Sequence, residues 1–206
     1  MIVIIDYDMG NVGSIANMIK RVGGESVITN DLEAITTASK LILPGVGAFD
    51  TGMHNIDAFG LRNVLNKRVL DDKTPILGVC LGMQLLGTQS EEGVLPGLGW
   101  IDACTVRFPS STPEHPKLRI PHMGWNHAEP GKDDPLFCDS VEHPRFYFVH
   151  SYHVVCKNPA DVLATTTYGI PFTSAVSRGN IWGTQFHPEK SHAYGMKLFH
   201  NFVHTI

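Results

Sequence analysis

Two uninterrupted apolar runs, Leu41-Ile42-Leu43 and Pro75-Ile76-Leu77-Gly78-Val79, each lead into a glycine-bearing turn, and this pairing restricts the fold more than any other feature of the chain. A strand without polar alternation is buried on both faces, which calls for helices above and below a parallel sheet. The first third of the chain supplies the matching pieces. Met1 to Ile5 reads as a strand, Ile15, Met18, Ile19 and Val22 recur at helical spacing with Ser14 placed to cap them, and Glu25 to Thr29 reads as the next strand. In an open parallel sheet, ligands gather at the carboxyl ends of the strands, where both glycine-bearing turns fall.

The second half is richer in Pro, Gly, Thr and aromatic residues. Extended stretches at Cys104 to Phe108, Phe146 to Val155, Val162 to Tyr168 and Phe172 to Ser177 read as added antiparallel strands. Ser110 to Pro116 reads as a loop, and Met196, Phe199 and Val203 mark a closing amphipathic helix. No repeat, low-complexity tract or boundary interrupts the 206 residues, so the expectation is one domain over 1–206. Its class is α/β: a mostly parallel central sheet flanked by helices, with additional antiparallel strands in the second half.

The second apolar run ends at Gly78-Val79-Cys80-Leu81-Gly82-Met83-Gln84 and passes into the helical pattern Leu81, Leu85, Leu86. A strand that breaks between two glycines and enters a helix presents its middle side chain on a tight elbow. A cysteine attacks as thiolate, and a helix N-terminus with unpaired N–H groups favours that anion. Glycine at 78 and 82 suits the close packing of such a turn. The bland alternative is a buried core cysteine following a strand.

Near the far end stands Gln185-Phe186-His187-Pro188-Glu189. In an extended segment, alternate side chains share a face, so His187 and Glu189 would project together about 6.5–7 Å apart along the backbone. The carboxylate can then hold one imidazole nitrogen while the other faces the thiol. Alone, His-Pro-Glu reads first as a surface turn with a solvated carboxylate; beside the elbow it completes a nucleophile, a base and an orienting carboxylate.

Acyl transfer also needs donors for the oxyanion. The N–H of Leu81 is one, and the turn Pro44-Gly45-Val46-Gly47 after the Leu41 to Leu43 strand can bring the amides of Val46 or Gly47 to the same place. A phosphate loop is excluded at this turn, because Gly45, Gly47 and Asp50 do not fit G-x-G-x-x-G spacing, and Gly131-Lys132 is followed by Asp133.

Pro44-Gly45-Val46-Gly47, Gly78-Val79-Cys80-Leu81-Gly82-Met83-Gln84 and His187-Pro188-Glu189 together resemble the class I (triad) glutamine amidotransferases, over nearly the whole chain. Within that family, Asp6-Tyr7 with Met9-Gly10-Asn11, Gly124-Trp125-Asn126, His150-Ser151-Tyr152 and His187-Pro188-Glu189-Lys190-Ser191 are similar to the glutaminase subunits of imidazole glycerol phosphate synthases. The resemblance implies Cys80 as nucleophile, His187 as general base and acid, and Glu189 as orienting carboxylate. It also implies Val46, Gly47 and Leu81 as backbone oxyanion donors, and Gln84 with the Ser151-Tyr152 backbone as the glutamine-binding positions. No cofactor is implied.

The implied reaction releases ammonia from glutamine, and an acceptor must catch it. In the resembling enzymes that acceptor is a cyclase subunit with a (β/α)8 barrel, paired as a heterodimer and serving histidine synthesis. With 206 residues the chain is too short for both activities, since such a barrel typically needs about 250. One departure bears on the acceptor: the family opening usually reads Asp-Tyr-Gly, whereas this chain has Asp6-Tyr7-Asp8. The substitution is compatible with a paralogue feeding a surface-polysaccharide sugar amidotransferase, as is His192-Ala193-Tyr194-Gly195-Met196. A cysteine hydrolase or peptidase on the same scaffold is the alternative of a different class, and Gln84 argues against it.

With 43% hydrophobic and 17% charged residues, the chain can bury a sizeable core. A net charge of -4 without a run of Lys or Arg excludes nucleic acid as the expected partner. No apolar run approaches the roughly 20 residues of a membrane span, and no basic segment precedes the first apolar stretch. Cys80, Cys104, Cys138 and Cys156 lack C-x-x-C spacing, which points to the cytoplasm. Among 11 histidines, His122 with His127 and His150 with His153 form no recognised ligand signature, so no metal is expected. Trp125 and Asn126 read either as partner-facing or as core-directed, and Lys190 either as an interface contact or as a solvated lysine beside Glu189.

Overall fold

The computed structural model describes residues 1–111, 113 and 117–206. Most of the anticipated Ser110 to Pro116 loop therefore lies outside the described residues.

Four short apolar strands build the first part of the sheet: β1 (Ile2–Ile5), β2 (Ser26–Thr29), β3 (Lys40–Leu43) and β4 (Ile76–Val79). They run parallel in the order β2-β1-β3-β4. Period-two alternation sends Val3, Ile5, Leu41, Leu43 and Ile76 into one hydrophobic cluster and Ile2, Ile4, Ile42, Leu77 and Val79 into another, so both faces are dry. Helix α1 (Val12–Arg21) covers the second face through Ile15, Met18 and Ile19. The helices α2 (Leu32–Thr37), α3 (Phe49–Ala58), α4 (Leu61–Asn66) and α5 (Leu81–Leu85) cover the first. Ser14 lies inside α1 rather than at its start; Asn11 occupies the N-cap position and makes no side-chain capping bond.

The later strands are β5 (Gln89–Ser90), β6 (Ala103–Arg107), β7 (His122–His127), β8 (Glu129–Pro130), β9 (Arg145–His150), β10 (Tyr152–Cys156), β11 (Val162–Tyr168), β12 (Ile170–Arg178) and β13 (Ile181–Thr184). β13 returns to the centre and pairs parallel with β4, and the sheet continues β13-β12-β10-β6-β5. The β13-β12, β12-β10, β10-β6 and β12-β11 pairs are antiparallel. The resulting mixed sheet has a largely parallel core and antiparallel strands later in the chain.

The stretch Phe146 to Val155, read as one extended segment, is divided at Ser151: β9 pairs with β7 in a separate two-stranded sheet, while β10 joins the main one. Helix α6 (His192–His204) closes the chain. Its buried stripe is Gly195, Leu198, Phe199 and Phe202 at i, i+3, i+4, i+7 spacing, with Met196 and Val203 only partly buried at its margins. Among the described residues no helix is long and apolar enough to cross a membrane.

Candidate active site

Val79 and Thr184 are opposite partners in the β4-β13 ladder, so the residues that follow, Cys80 and Gln185, leave the sheet side by side. The Cys80 N–H donates to the Thr184 carbonyl at 2.7 Å. Cys80 adopts φ 55°, ψ -109°, a conformation L-residues rarely take, and α5 starts at the next residue. The anticipated elbow is therefore present, on a helix of only five residues. A Cβ on Gly82 would stand 1.9 Å from the Leu43 carbonyl oxygen, and one on Gly78 would stand 2.7 Å from that of Gly82. Backbone packs on backbone at both positions, as their spacing around Cys80 suggests.

His187 and Glu189 meet, though not across an extended strand. Pro188–Lys190 form a single 3-10 turn with His187 at its start, and the fixed φ of proline suits that first turn. The turn brings His187 Nδ1 to 2.8 Å from Glu189 Oε1, with the two side chains only 2% and 1% exposed. A carboxylate accepts only, so Nδ1 carries a proton directed at Glu189, and the buried Nε2 is the nitrogen left for the thiol. Burial opposes charge on this ring, but Cys80 and Glu189, through hydrogen bonding and negative charge, outweigh it and push His187 up to about 10.

The His187 backbone is pinned as well. Its N–H donates to the Tyr147 carbonyl at 2.9 Å, and Ser191 Oγ donates to its carbonyl at 2.6 Å while accepting from the Tyr147 N–H at 3.0 Å. This structural role of Ser191 had no sequence signal, since a serine preceding a helix reads as a cap and this one makes no capping bond.

Cys80, Leu81, Gln84, Val46, Gly47, Ser151, Tyr152 and His187 line one cavity of about 330 Å³, and Glu189 sits behind His187. A larger open hollow of about 1010 Å³, bounded by residues 129–135, 137–144, includes none of them. Two predicted residues differ in detail from expectation. The Leu81 N–H is not free: it donates to the Gly45 carbonyl at 3.3 Å. Gln84 is buried and directs its Nε2 to the Tyr152 carbonyl at 3.2 Å and to Gln185 Oε1 at 3.0 Å, while Gln185 Nε2 donates to Cys80 Sγ at 3.8 Å.

Glu92 also lines the cavity and was missed, because nothing in the Glu91-Glu92-Gly93 turn distinguishes it from solvated surface. Its Oε2 accepts the Phe49 N–H at 2.9 Å, and Asp50 Oδ1 in return accepts the N–H groups of Val94 and Leu95, each at 3.0 Å. Gly93 is required in this clasp, since a Cβ would come within 2.0 Å of Asp50 Oδ1. Tyr7, fully buried, donates its hydroxyl to the Pro44 carbonyl directly before the Gly45 to Gly47 turn. Burial and the nearby Cys80 raise its pKa.

Asp8 takes φ 62°, a left-handed conformation that glycine adopts at no cost and aspartate tolerates better than most residues. Trp125 is 39% exposed on β7, with its ring stacked on His192 at 5.5 Å. Lys190 Nζ lies 6.0 Å from the centre of the Tyr147 ring, not on Glu189. Among the described residues, no three His, Cys, Asp or Glu side chains converge as metal ligands; His122 faces His150 instead of His127.

The family described as glutamine amidotransferase class-I matches residues 3–206. This chain belongs to that family. Within it, the chain is 57% identical over 203 residues to the imidazole glycerol phosphate synthase subunit HisH 2 of Methanococcus maripaludis, covering 98% of each chain. It is 51% identical over 206 residues to the subunit of the same name from Pseudomonas aeruginosa, covering 100% of each. Among solved structures, the class-I fold is matched by PurLQS from Thermotoga maritima, with a TM-score of 0.72 at 18% identity over 99% of this chain and 97% of that one. A crystal structure described as glutamine amidotransferase gives 0.69 at 21% identity over 96% and 98%. This class-I glutamine amidotransferase therefore carries its thiol, imidazole and carboxylate where a mixed sheet's parallel core ends.

Proposed function

We propose that this chain is the glutaminase subunit of imidazole glycerol phosphate synthase, a single amidotransferase domain over 1–206 that hydrolyses glutamine and passes ammonia to a separate (β/α)8-barrel cyclase subunit in the cytoplasm. The observation that carries the reading is Cys80 on a strained elbow, facing one cavity with the free nitrogen of a His187 held by Glu189. The relatives' names supply the pathway, and four free cysteines suit a reducing compartment.

In this reading, Cys80 thiolate adds to the side-chain amide carbon of glutamine, and the carbonyl oxygen takes the negative charge. His187 Nε2 gives its proton to the departing nitrogen, ammonia leaves, and a thioester to Cys80 remains. A water then loses a proton to Nε2 and attacks the thioester; glutamate is released and Cys80 and His187 return to their starting state. Glu189 holds the Nδ1 proton throughout and stabilises the ring when charged.

Two further groups extend the assignment. Glu92 places a carboxylate in the cavity where the α-ammonium of glutamine needs an anion, and Gln84, with its amide N–H groups already engaged, leaves its oxygen for the substrate. The oxyanion donors need a local change, because the Gly45 carbonyl occupies the Leu81 N–H. Rotating the Gly45-Val46 peptide removes that carbonyl and turns the Val46 N–H towards the same point, completing a two-donor hole with Leu81. Gly47, at φ 109°, supplies the backbone freedom beside it.

Asp8 favours a second reading, in which the same chemistry feeds a sugar amidotransferase, because it adds charge to an exposed loop where the family usually has glycine. Incubating the purified chain with glutamine, first alone, then with a barrel cyclase, then with a sugar amidotransferase, separates the possibilities. Cyclase-stimulated glutamate release with formation of imidazole glycerol phosphate supports the first reading, and stimulation only by the sugar enzyme supports the second. Peptide cleavage without glutamine hydrolysis overturns both.

A further inference from the structure

His150 lines the cavity beside Ser151 and Tyr152, and from its ring a run of polar side chains that the mechanism does not use leads away from the cavity. His150 Nδ1 is 2.8 Å from the Tyr152 carbonyl oxygen, His150 Nε2 is 3.0 Å from His122 Nδ1, and His122 Nε2 is 3.3 Å from Asn126 Nδ2. Burial pushes His150 down to about 3 and His122 down to about 4, so each ring is neutral at pH 7 and carries one proton.

The chemistry of the end groups fixes where those protons sit. A carbonyl only accepts, so His150 carries its hydrogen on Nδ1 and offers a lone pair at Nε2. His122 must then donate from Nδ1, which leaves its Nε2 to accept from Asn126. Asn126 is oriented independently: its Nδ2 also donates to the Thr167 carbonyl at 2.9 Å, and its Oδ1 accepts the His127 N–H at 2.9 Å. Every donor in the run meets an acceptor.

The Tyr152 carbonyl at the inner end is a junction. It also accepts from Gln84 Nε2, whose other contact, Gln185, reaches Cys80 Sγ. It stands at the corner where the chain leaves β9 and the small sheet for β10 and the large one. A bond from the His150 ring to the carbonyl two residues on ties that corner together. We propose that His150 is a positioning residue for glutamine, holding the Tyr152 carbonyl and through it Gln84 in the geometry the substrate meets, with His122 keeping the required tautomer. The inference rests on the glutaminase reading of the cavity.

The rival role is packing, since the His150 ring lies 5.3 Å from that of Phe108 and 5.2 Å from that of Phe172. Two substitutions separate the roles. His150→Phe keeps an aromatic ring and loses the donor; His150→Asn loses the ring and keeps an N–H near the Nδ1 position. With the chain assembled with its cyclase, His150→Phe raises KM for glutamine about tenfold, the effect of one lost buried hydrogen bond, with a much smaller change in kcat. His150→Asn stays near the wild-type KM. A protected imidazole N–H resonance of His150, present in the wild type and lost in His122→Phe, reports the tautomer without reference to activity. Wild-type KM in a folded His150→Phe overturns the inference while leaving the glutaminase reading in place, even if His150→Asn does not fold. A wild-type complex that consumes no glutamine removes both.

Discussion

The N–H of Leu81 donates to the carbonyl of Gly45 at 3.3 Å, so one expected oxyanion donor is satisfied within the protein. Each such donor is worth about 10²–10³ in kcat. Glutamate release by the chain alone is therefore expected to be at least about 10²-fold slower than in complex with a partner that turns the Gly45-Val46 peptide. Steady-state glutaminase assays with and without the cyclase check this, and equal rates would mean the hole is formed by other donors.

Replacing Cys80 separates chemistry from backbone. Cys80→Ala and Cys80→Gly both remove the nucleophile and drop glutamine-dependent synthesis below about one part in 10³, while ammonia-dependent synthesis by the partner is retained. At φ 55°, glycine is relieved of strain worth about 1–3 kcal/mol, against an entropic cost of about 0.5–1 kcal/mol. Cys80→Gly should accordingly be the more stable of the two by about 1 kcal/mol in urea unfolding. A less stable glycine variant would show that the elbow is not strained.

The His187-Glu189 pair gives stability a pH dependence. His187 is raised from its ordinary 6.5 to about 10, against the effect of burial, by Cys80 and Glu189. The folded state thus binds a proton that the unfolded state releases, so this contribution is full below pH 6.5 and is lost as pH rises towards 10. Chemical denaturation across that window should show stability declining. Glu189→Gln should flatten the slope and lower kcat about 10²–10⁴-fold, because an amide does not stabilise imidazolium as a carboxylate does. An unchanged slope and rate would remove Glu189 from both roles.

Gly82→Ala would press a methyl group to 1.9 Å from the Leu43 carbonyl oxygen. Both partners are backbone, so no side chain can swing away, and a loss of more than about 3 kcal/mol is expected from thermal or urea unfolding. The contrasting change Gly13→Ala, which meets nothing within 4 Å in α1, should be neutral or stabilising by up to about 1 kcal/mol.

The parts legible in the sequence were those fixed by local chemistry. Continuous apolar runs marked β3 and β4, helical spacing marked α1, and the two glycines around Cys80 marked the elbow. What stayed hidden depends on contacts distant in sequence. Glu92 gains its place only because the turn carrying it docks on the start of α3, 43 residues earlier. The state of the Leu81 N–H is decided by a carbonyl on a different strand's turn. The break at Ser151 reflects two sheets competing for one extended segment, which strand propensity alone does not register. His187 and Glu189 were paired correctly by spacing for the wrong local reason, since a proline-led turn, not a pleat, brings them together.

Because Val79 pairs with Thr184 and His187 pairs with Tyr147, the separation of sulfur from imidazole is inherited from main-chain pairing among β4, β13 and β9 and owes little to the Asp8 turn. A rim segment such as the Asp8 turn is thereby free to diverge and to redirect nitrogen to another recipient without retuning how it is cut loose.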